Sequence, residues 1–127
     1  MPSMIDDTVS GIMEKWSAAF KTLDAKALAS LYSRSALFFG SNPSLYRGND
    51  GVAAYFEALP RWSSPAVQFT DVVAAPAGSD LINVAATASF FIGEETPLSV
   101  RLTWVVVRED GDWKIVSHHV SSRTRLI

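Results

Sequence analysis

One change of pattern constrains this chain more than any other feature. Up to about residue 60 the apolar residues recur every three or four positions; beyond it they gather in Val-, Ile-, Thr- and Phe-rich runs separated by short clusters of turn formers. The first period belongs to one face of a helix and the second to strands. Ile5, Val9, Ile12, Met13, Trp16, Phe20 and Leu23 predict one long amphipathic helix over residues 4–23, with Ser3 as its cap and Asp6 in an acidic first turn. Asp24 reads as the N-cap of a short second helix over 25–32, whose Leu28, Leu31 and Tyr32 share a face. Ser33 to Ser35 break that pattern. Two β-like pieces, 36–39 and 44–46, flank Gly40-Ser41-Asn42-Pro43 as a small hairpin. A third helix over 51–59 carries Val52, Tyr55, Phe56 and Leu59 on one side and stops at Pro60.

Four strands follow, over 67–75, 81–92, 98–108 and 113 to about 123, and their short connections predict an antiparallel meander. Helices first and a strongly curved sheet afterwards make an α+β fold, a single domain over 1–127 with the helices on one sheet face. The strand over 98–108 is apolar on both parities, Leu102, Trp104 and Val106 alternating with Val105 and Val107. Such a strand is covered on both faces, and the helices cover only one. The outer face is therefore expected to meet a second copy of the chain, with Trp104 or its neighbours at the contact.

Composition narrows the function. With 127 residues and no Cys, disulfide scaffolds, thiolate zinc sites and cysteine nucleophiles are excluded. Eleven Lys plus Arg against 13 Asp plus Glu leave a net charge of −2, which offers no basic field for a nucleic acid. No stretch approaches the roughly 18 apolar residues of a membrane span, and residues 1–7 lack the features of a signal peptide, so a cytoplasmic protein is expected. No GxSxG, P-loop, GxGxxG, HExxH or calcium loop occurs. Aromatic residues, by contrast, make up 11% of the chain, including 4 Trp and 7 Phe, more ring surface than a minimal core requires.

The element order, together with Val107-Arg108-Glu109-Asp110-Gly111-Asp112-Trp113-Lys114-Ile115-Val116-Ser117-His118-His119-Val120-Ser121-Ser122, resembles the NTF2-like superfamily. Within it the chain is similar to small SnoaL-like proteins and to association domains of the calcium/calmodulin-dependent kinase II type. Asp24 with Leu31-Tyr32, and Tyr46-Arg47-Gly48, carry the likeness through the first half. The resemblance implies a cystatin-like cone: three helices and a short hairpin packed on a bent antiparallel sheet, a pocket inside, and a homodimer through the sheets that some relatives build into rings. It leaves activity open, because this fold hosts isomerases, cyclases, dehydratases, transport factors and assembly modules.

His118 and His119 are the only histidines, and neighbours on a strand leave by opposite faces. They cannot chelate one ion as a pair, so neither a metal nor another cofactor is expected. The hairpin register decides which one faces the cone. A bare Asp110-Gly111 turn sets Leu102 opposite His119; a three-residue Glu109-Asp110-Gly111 loop sets Arg101 there. The second is preferred, because an acidic residue before Asp-Gly suits a type I turn with a bulge. It aligns Arg101 and Thr103 with Ser117 and His119, and the resemblance likewise implies that the second His looks inward.

Arg101 then either snorkels to solvent, or pairs with Glu94 or Glu95, or turns inward beside His119 to hold a carboxylate. Asp71 is the one carboxylate inside a strand, and outward placement suits it better than a catalytic role. Tyr32, Tyr55 and Trp62 are pocket candidates because each has a polar tip that needs a partner when buried; Phe38 joins them, while Trp16 and Phe20 read as core. The leading expectation is a homodimer that binds a small, partly apolar, carboxylate-bearing organic ligand through Arg101, His119, Tyr32, Tyr55, Trp62, Phe38, Thr103 and Ser117. The alternatives are an enzyme with His119 as catalytic general acid/base and Tyr32 or Tyr55 polarising a carbonyl, and an assembly module whose pocket is vestigial.

Overall fold

The computed structural model describes residues 4–93 and 95–127, so the expected Ser3 cap and the Glu94 partner lie outside the described residues. Its elements are α1 (Met4–Lys21), α2 (Ala25–Ala29), β1 (Tyr32–Phe39), β2 (Leu45–Arg47), α3 (Gly48–Glu57), β3 (Ala66–Pro76), β4 (Leu81–Phe91), β5 (Leu98–Glu109) and β6 (Asp112–Ser122). Helix α1 buries Val9, Ile12, Met13, Trp16, Ala19 and Phe20, the stripe its periodicity marks. It ends in a Schellman arrangement: Leu23 N–H donates to Phe20 O and Asp24 N–H to Ala19 O, with Leu23 at φ 52°. The Asp24 carboxylate then accepts from Ala27 N–H at 3.0 Å and caps α2.

Helix α2 is shorter than its apolar spacing suggests. The Leu31 carbonyl accepts from Ile115 N–H at 2.9 Å, so the chain has already joined the sheet where a further helical turn was expected. Tyr32 to Ser35 accordingly belong to β1, which is irregular between Tyr32 and Leu37.

The six strands form one sheet in the order β2-β1-β6-β5-β4-β3. β3 to β6 are the expected meander; β1 pairs with β2 as a hairpin and, in parallel, with β6. Bulges between Thr70 and Val73 on β3, where Asp71 takes φ 52°, and opposite Val105/Val106 on β6 interrupt the ladders, and such bulges increase local twist. The helices pack on the inner face. Leu28, Tyr32, Phe38, Val52, Ile82, Trp104, Val106 and Ile115 are among the most deeply buried side chains. Trp104 is only 1% exposed and points inward, which corrects the expectation that it covers a dimer face. On the outer side Arg101 and Thr103 are exposed, and Val105 and Val107 are half-buried within the single chain.

The β5–β6 turn is the two-residue alternative and not the preferred three-residue loop, and beyond a bulge the pairing departs from both registers read from the sequence. Glu109 pairs with Asp112, so the turn is the two-residue Asp110-Gly111 with φ of 53° and 84°, both positive as a type I′ turn requires. The ladder runs to Val106↔Ile115 and then skips Val116, resuming at Val105↔Ser117, Trp104↔His118 and Thr103↔His119. That one extra residue reverses the facing of everything beyond it. His118 turns inward at 4% exposure, and His119 turns out.

Candidate functional site: an aromatic cavity with a buried imidazole

Sheet and helices do not close fully on each other; between them lies a cavity of about 420 Å³. Helix α1 contributes Trp16 and Phe20, α3 Tyr55 and Phe56, and the loop after α3 Trp62. The sheet adds Phe38, Phe69, Phe90, Trp104 and His118, with Leu102, Val100 and Val120 between them. Many of these rings meet edge to face: Trp16 lies 5.8 Å from Phe56 and from Phe69, and Phe38 lies 4.7 Å from Tyr55. Ser41, Leu98 and Ser122 line the cavity and reach solvent, and so mark its mouth. At that mouth the Tyr55 hydroxyl accepts from Ser41 N–H at 3.0 Å and shares a 2.7 Å hydrogen bond with Ser41 Oγ. Gly40 makes this approach possible: a Cβ there would stand 2.6 Å from the Tyr55 ring.

Among the described residues that line the cavity, none is charged. Its polar centre is His118, whose ring stacks on Phe38 at 4.4 Å. His118 Nδ1 lies 2.7 Å from the Tyr32 hydroxyl, which accepts from Trp16 Nε1–H at 3.1 Å. Burial, with a smaller repulsion from neighbouring His119, pushes the His118 pKa down to about 3, so the imidazole is neutral at physiological pH. Burial likewise holds the Tyr32 hydroxyl well above the ordinary phenol range, which keeps its proton in place. Two buried nitrogens of cavity-lining residues, His118 Nε2 and Trp104 Nε1, have no hydrogen-bond partner among the described residues. Buried polar groups are nearly always paired, so these two mark where a ligand would supply what the protein does not.

The candidate residues separate accordingly. Phe38, Tyr55 and Trp62 line the cavity; Tyr32 lies behind it, in contact with His118. Arg101, Thr103, Ser117 and His119 stand exposed on the outer face, where His119 meets Phe39 at 5.7 Å. The expected Arg101–His119 pair inside the cone therefore does not form: the two-residue turn pairs buried Ile115 with Val106, which leaves Arg101 on the outer face, and the Val116 bulge turns His119 out and His118 in. Trp16, read as core, serves the cavity as well. His118 is the cavity side chain that sequence reasoning missed, because its facing depends on a bulge that alternation does not reveal.

Among the described residues no three His, Asp or Glu side chains gather as a metal site, and no helix is long and apolar enough to cross a membrane.

A bent sheet closed by three helices over an internal cavity defines the NTF2-like, cystatin-like class, and solved structures bear this out. An NTF2-like protein of unknown function from Pseudomonas putida KT2440 superposes with a TM-score of 0.84 at 17% identity, covering 99% of this chain and 92% of that one. A Xanthomonas campestris protein provisionally described as a calcium/calmodulin-dependent protein kinase II association domain gives 0.82 at 20% identity, covering 93% and 87%. A Novosphingobium aromaticivorans protein provisionally described as a scytalone dehydratase gives 0.79 at 15%, covering 93% and 83%. The chain belongs to the SnoaL-like domain family, whose model matches residues 9–124. No curated protein matches it in sequence.

Proposed function

We propose that this protein binds a small, uncharged, largely apolar molecule in the cavity between helices and sheet, with His118 as its polar contact. The observation that carries this reading is an aromatic cavity of about 420 Å³ whose lining, among the described residues, has no charged side chain but contains a buried imidazole with a free Nε2. That volume falls in the range of small-molecule sites. A carboxylate, the ligand type expected from Arg101, would enter this cavity without a countercharge, and burying an unpaired charge is strongly unfavourable.

Binding is preferred to turnover. A neutral imidazole whose Nδ1 is engaged by Tyr32 is poorly placed as a general base, and among the described residues no carboxylate lines the cavity to assist it. An isomerase, cyclase or dehydratase reading would rest on His118 in place of His119.

A homodimer through the outer sheet face is part of the same proposal. Leu37, Phe39 and Leu45 stand 50%, 41% and 39% exposed there, with half-buried Val105 next to Ser117 in the same row as Leu37.

The binding reading is tested with 2-ethylnaphthalene and 2-naphthoate, followed through the indole N–H signals in a proton–nitrogen NMR spectrum. Trp16, Trp62 and Trp104 line the cavity and Trp113 does not, so three signals should respond to 2-ethylnaphthalene and the fourth should not. Naphthoate should bind at least a hundredfold more weakly. Equal affinity for both, or equal shifts at all four indoles, would refute the reading.

A further inference from the structure

We infer that Trp16 and Tyr32 are positioning residues that hold His118 with its hydrogen on Nε2, so that the cavity presents a hydrogen-bond donor and selects uncharged ligands bearing an acceptor. The inference rests on the cavity-binding reading above and adds what the polar end of the ligand must be.

The number of hydrogens available to these three groups decides the tautomer. An indole N–H can only donate, so Trp16 Nε1–H occupies one lone pair of the Tyr32 oxygen. Tyr32 has one hydrogen of its own, and among the described residues the only other partner of its hydroxyl is His118 Nδ1. If Tyr32 donates to Nδ1, that nitrogen is the acceptor and the neutral ring carries its hydrogen on Nε2; one buried group, Nε2–H, is left unpaired. If instead Nδ1–H donates to Tyr32, both the Tyr32 hydrogen and the Nε2 lone pair are stranded. Each unpaired buried polar group is costly, so the first arrangement prevails.

The geometry agrees. The Tyr32 and His118 rings lie within 8° of parallel, with the hydroxyl 2.7 Å from Nδ1, and Phe38 stacked on the imidazole resists its rotation. The low proton affinity of the buried ring keeps a second hydrogen off it.

Trp104 strengthens the donor character. It is paired in register with His118 on the adjacent strand, its ring 5.8 Å from the imidazole, and its unpaired Nε1–H can act only as a donor. The two orphaned groups of this cavity are therefore both N–H. A ligand group that only accepts, such as an ether, ester, carbonyl or nitrile, answers them; a group that must also donate leaves its own hydrogen without a partner beside Phe38 and Trp104.

Three probes of nearly one shape test this: 2-acetylnaphthalene, which accepts; 2-ethylnaphthalene, which does neither; and 1-(2-naphthyl)ethanol, which accepts and must also donate. The first measurement needs no variant: a long-range proton–nitrogen correlation of the imidazole rings, with His118 identified by comparison with His119→Asn. Hydrogen on Nε2 and an unprotonated, hydrogen-bonded Nδ1 support the inference; hydrogen on Nδ1 overturns it. The second is affinity. 2-Acetylnaphthalene should bind at least tenfold more tightly than 2-ethylnaphthalene, the alcohol should fall between them, and the Trp104 indole proton should move downfield only with the acetyl probe. In Tyr32→Phe, which removes the donor to Nδ1, the ring should populate both tautomers and the acetyl-over-ethyl preference should shrink severalfold. A role confined to packing would change neither tautomer nor preference.

Equal affinities for acetyl and ethyl probes in the wild type overturn the selectivity and leave cavity binding standing. Failure of all three probes to bind overturns the binding reading and this inference with it.

Discussion

The buried imidazole should make the protein's stability depend on pH in a window where carboxylates contribute little. An unfolded histidine takes up a proton with a pKa near 6.5, whereas His118 in the folded protein does so only at about 3. Between these values the unfolded state holds one proton more than the folded one, so stability is fully present above about pH 6.5 and is lost as pH falls. Integrating the linkage relation, this one group removes about 1 kcal/mol by pH 6 and about 2 kcal/mol by pH 5. The figure at pH 5 is set by the unfolded value and hardly changes wherever the folded value lies below about 4. Urea denaturation followed by far-ultraviolet circular dichroism at half-unit steps from pH 7.5 to 5 measures it. The companion variant is His118→Phe, whose ring can occupy the stack on Phe38 but cannot titrate. It leaves the Tyr32 hydroxyl without its acceptor and should be less stable at pH 7.5 by about 1–3 kcal/mol. Subtracting its pH curve from that of the wild type isolates His118, and the difference should close by about 2 kcal/mol on going to pH 5. Parallel curves for the two proteins would refute the argument that His118 is buried and neutral.

Other perturbations reach separate parts of the structure. Gly40→Ala drives a methyl to within 2.6 Å of the Tyr55 ring, and should cost about 1–3 kcal/mol in urea denaturation while weakening 2-ethylnaphthalene binding at the mouth. Asp24→Ala removes the cap on Ala27 N–H and should cost about 1 kcal/mol without changing probe affinity, both read in the same two assays. Phe39→Asp puts a charge into the proposed sheet-to-sheet contact and should convert a dimer into a monomer by light scattering coupled to size exclusion; an unchanged mass would remove that face from the proposal.

The architecture was readable because periodicity and turn chemistry are local. The helical stripe of α1, the Asp24 cap and the breaks before β4, β5 and β6 each leave their mark within a few residues. What depended on a single non-local decision was not readable. Trp113, Ile115, Ser117 and His119 share one parity, and with Ile115 fully buried alternation puts His119 inside. The bulge at Val116 breaks that inference, and a Val between Ile115 and Ser117 in a strand carries no signature of a bulge. The Asp-Gly pair allowed the tight turn, yet the facing of the histidines follows from turn and bulge together. Arg101 was misplaced by the turn length alone, because the two-residue turn pairs Val106 rather than Val105 with Ile115 and so puts Arg101 on the outer face. Tyr32 was legible as a side chain whose hydroxyl needed a partner; that the partners were Trp16 and His118, the latter 86 residues away, was decided by the parallel pairing of β1 with β6.

That pairing also bears on how the chain acquires its structure. β1 and β2 are made early, yet a two-stranded hairpin is at best marginally stable in water, and the strand that flanks β1 on its other side is β6. At synthesis rates of about 5–20 residues per second, the face bearing Phe38 waits several seconds for the chain to reach residues 112–122. Until then the helical half has an unfinished floor, and its exposed rings are available to chaperones or to another nascent chain. Contacts this distant in sequence slow folding in general, and here the same late event seats His118 against Tyr32, so the cavity acquires its polar centre only when the sheet closes.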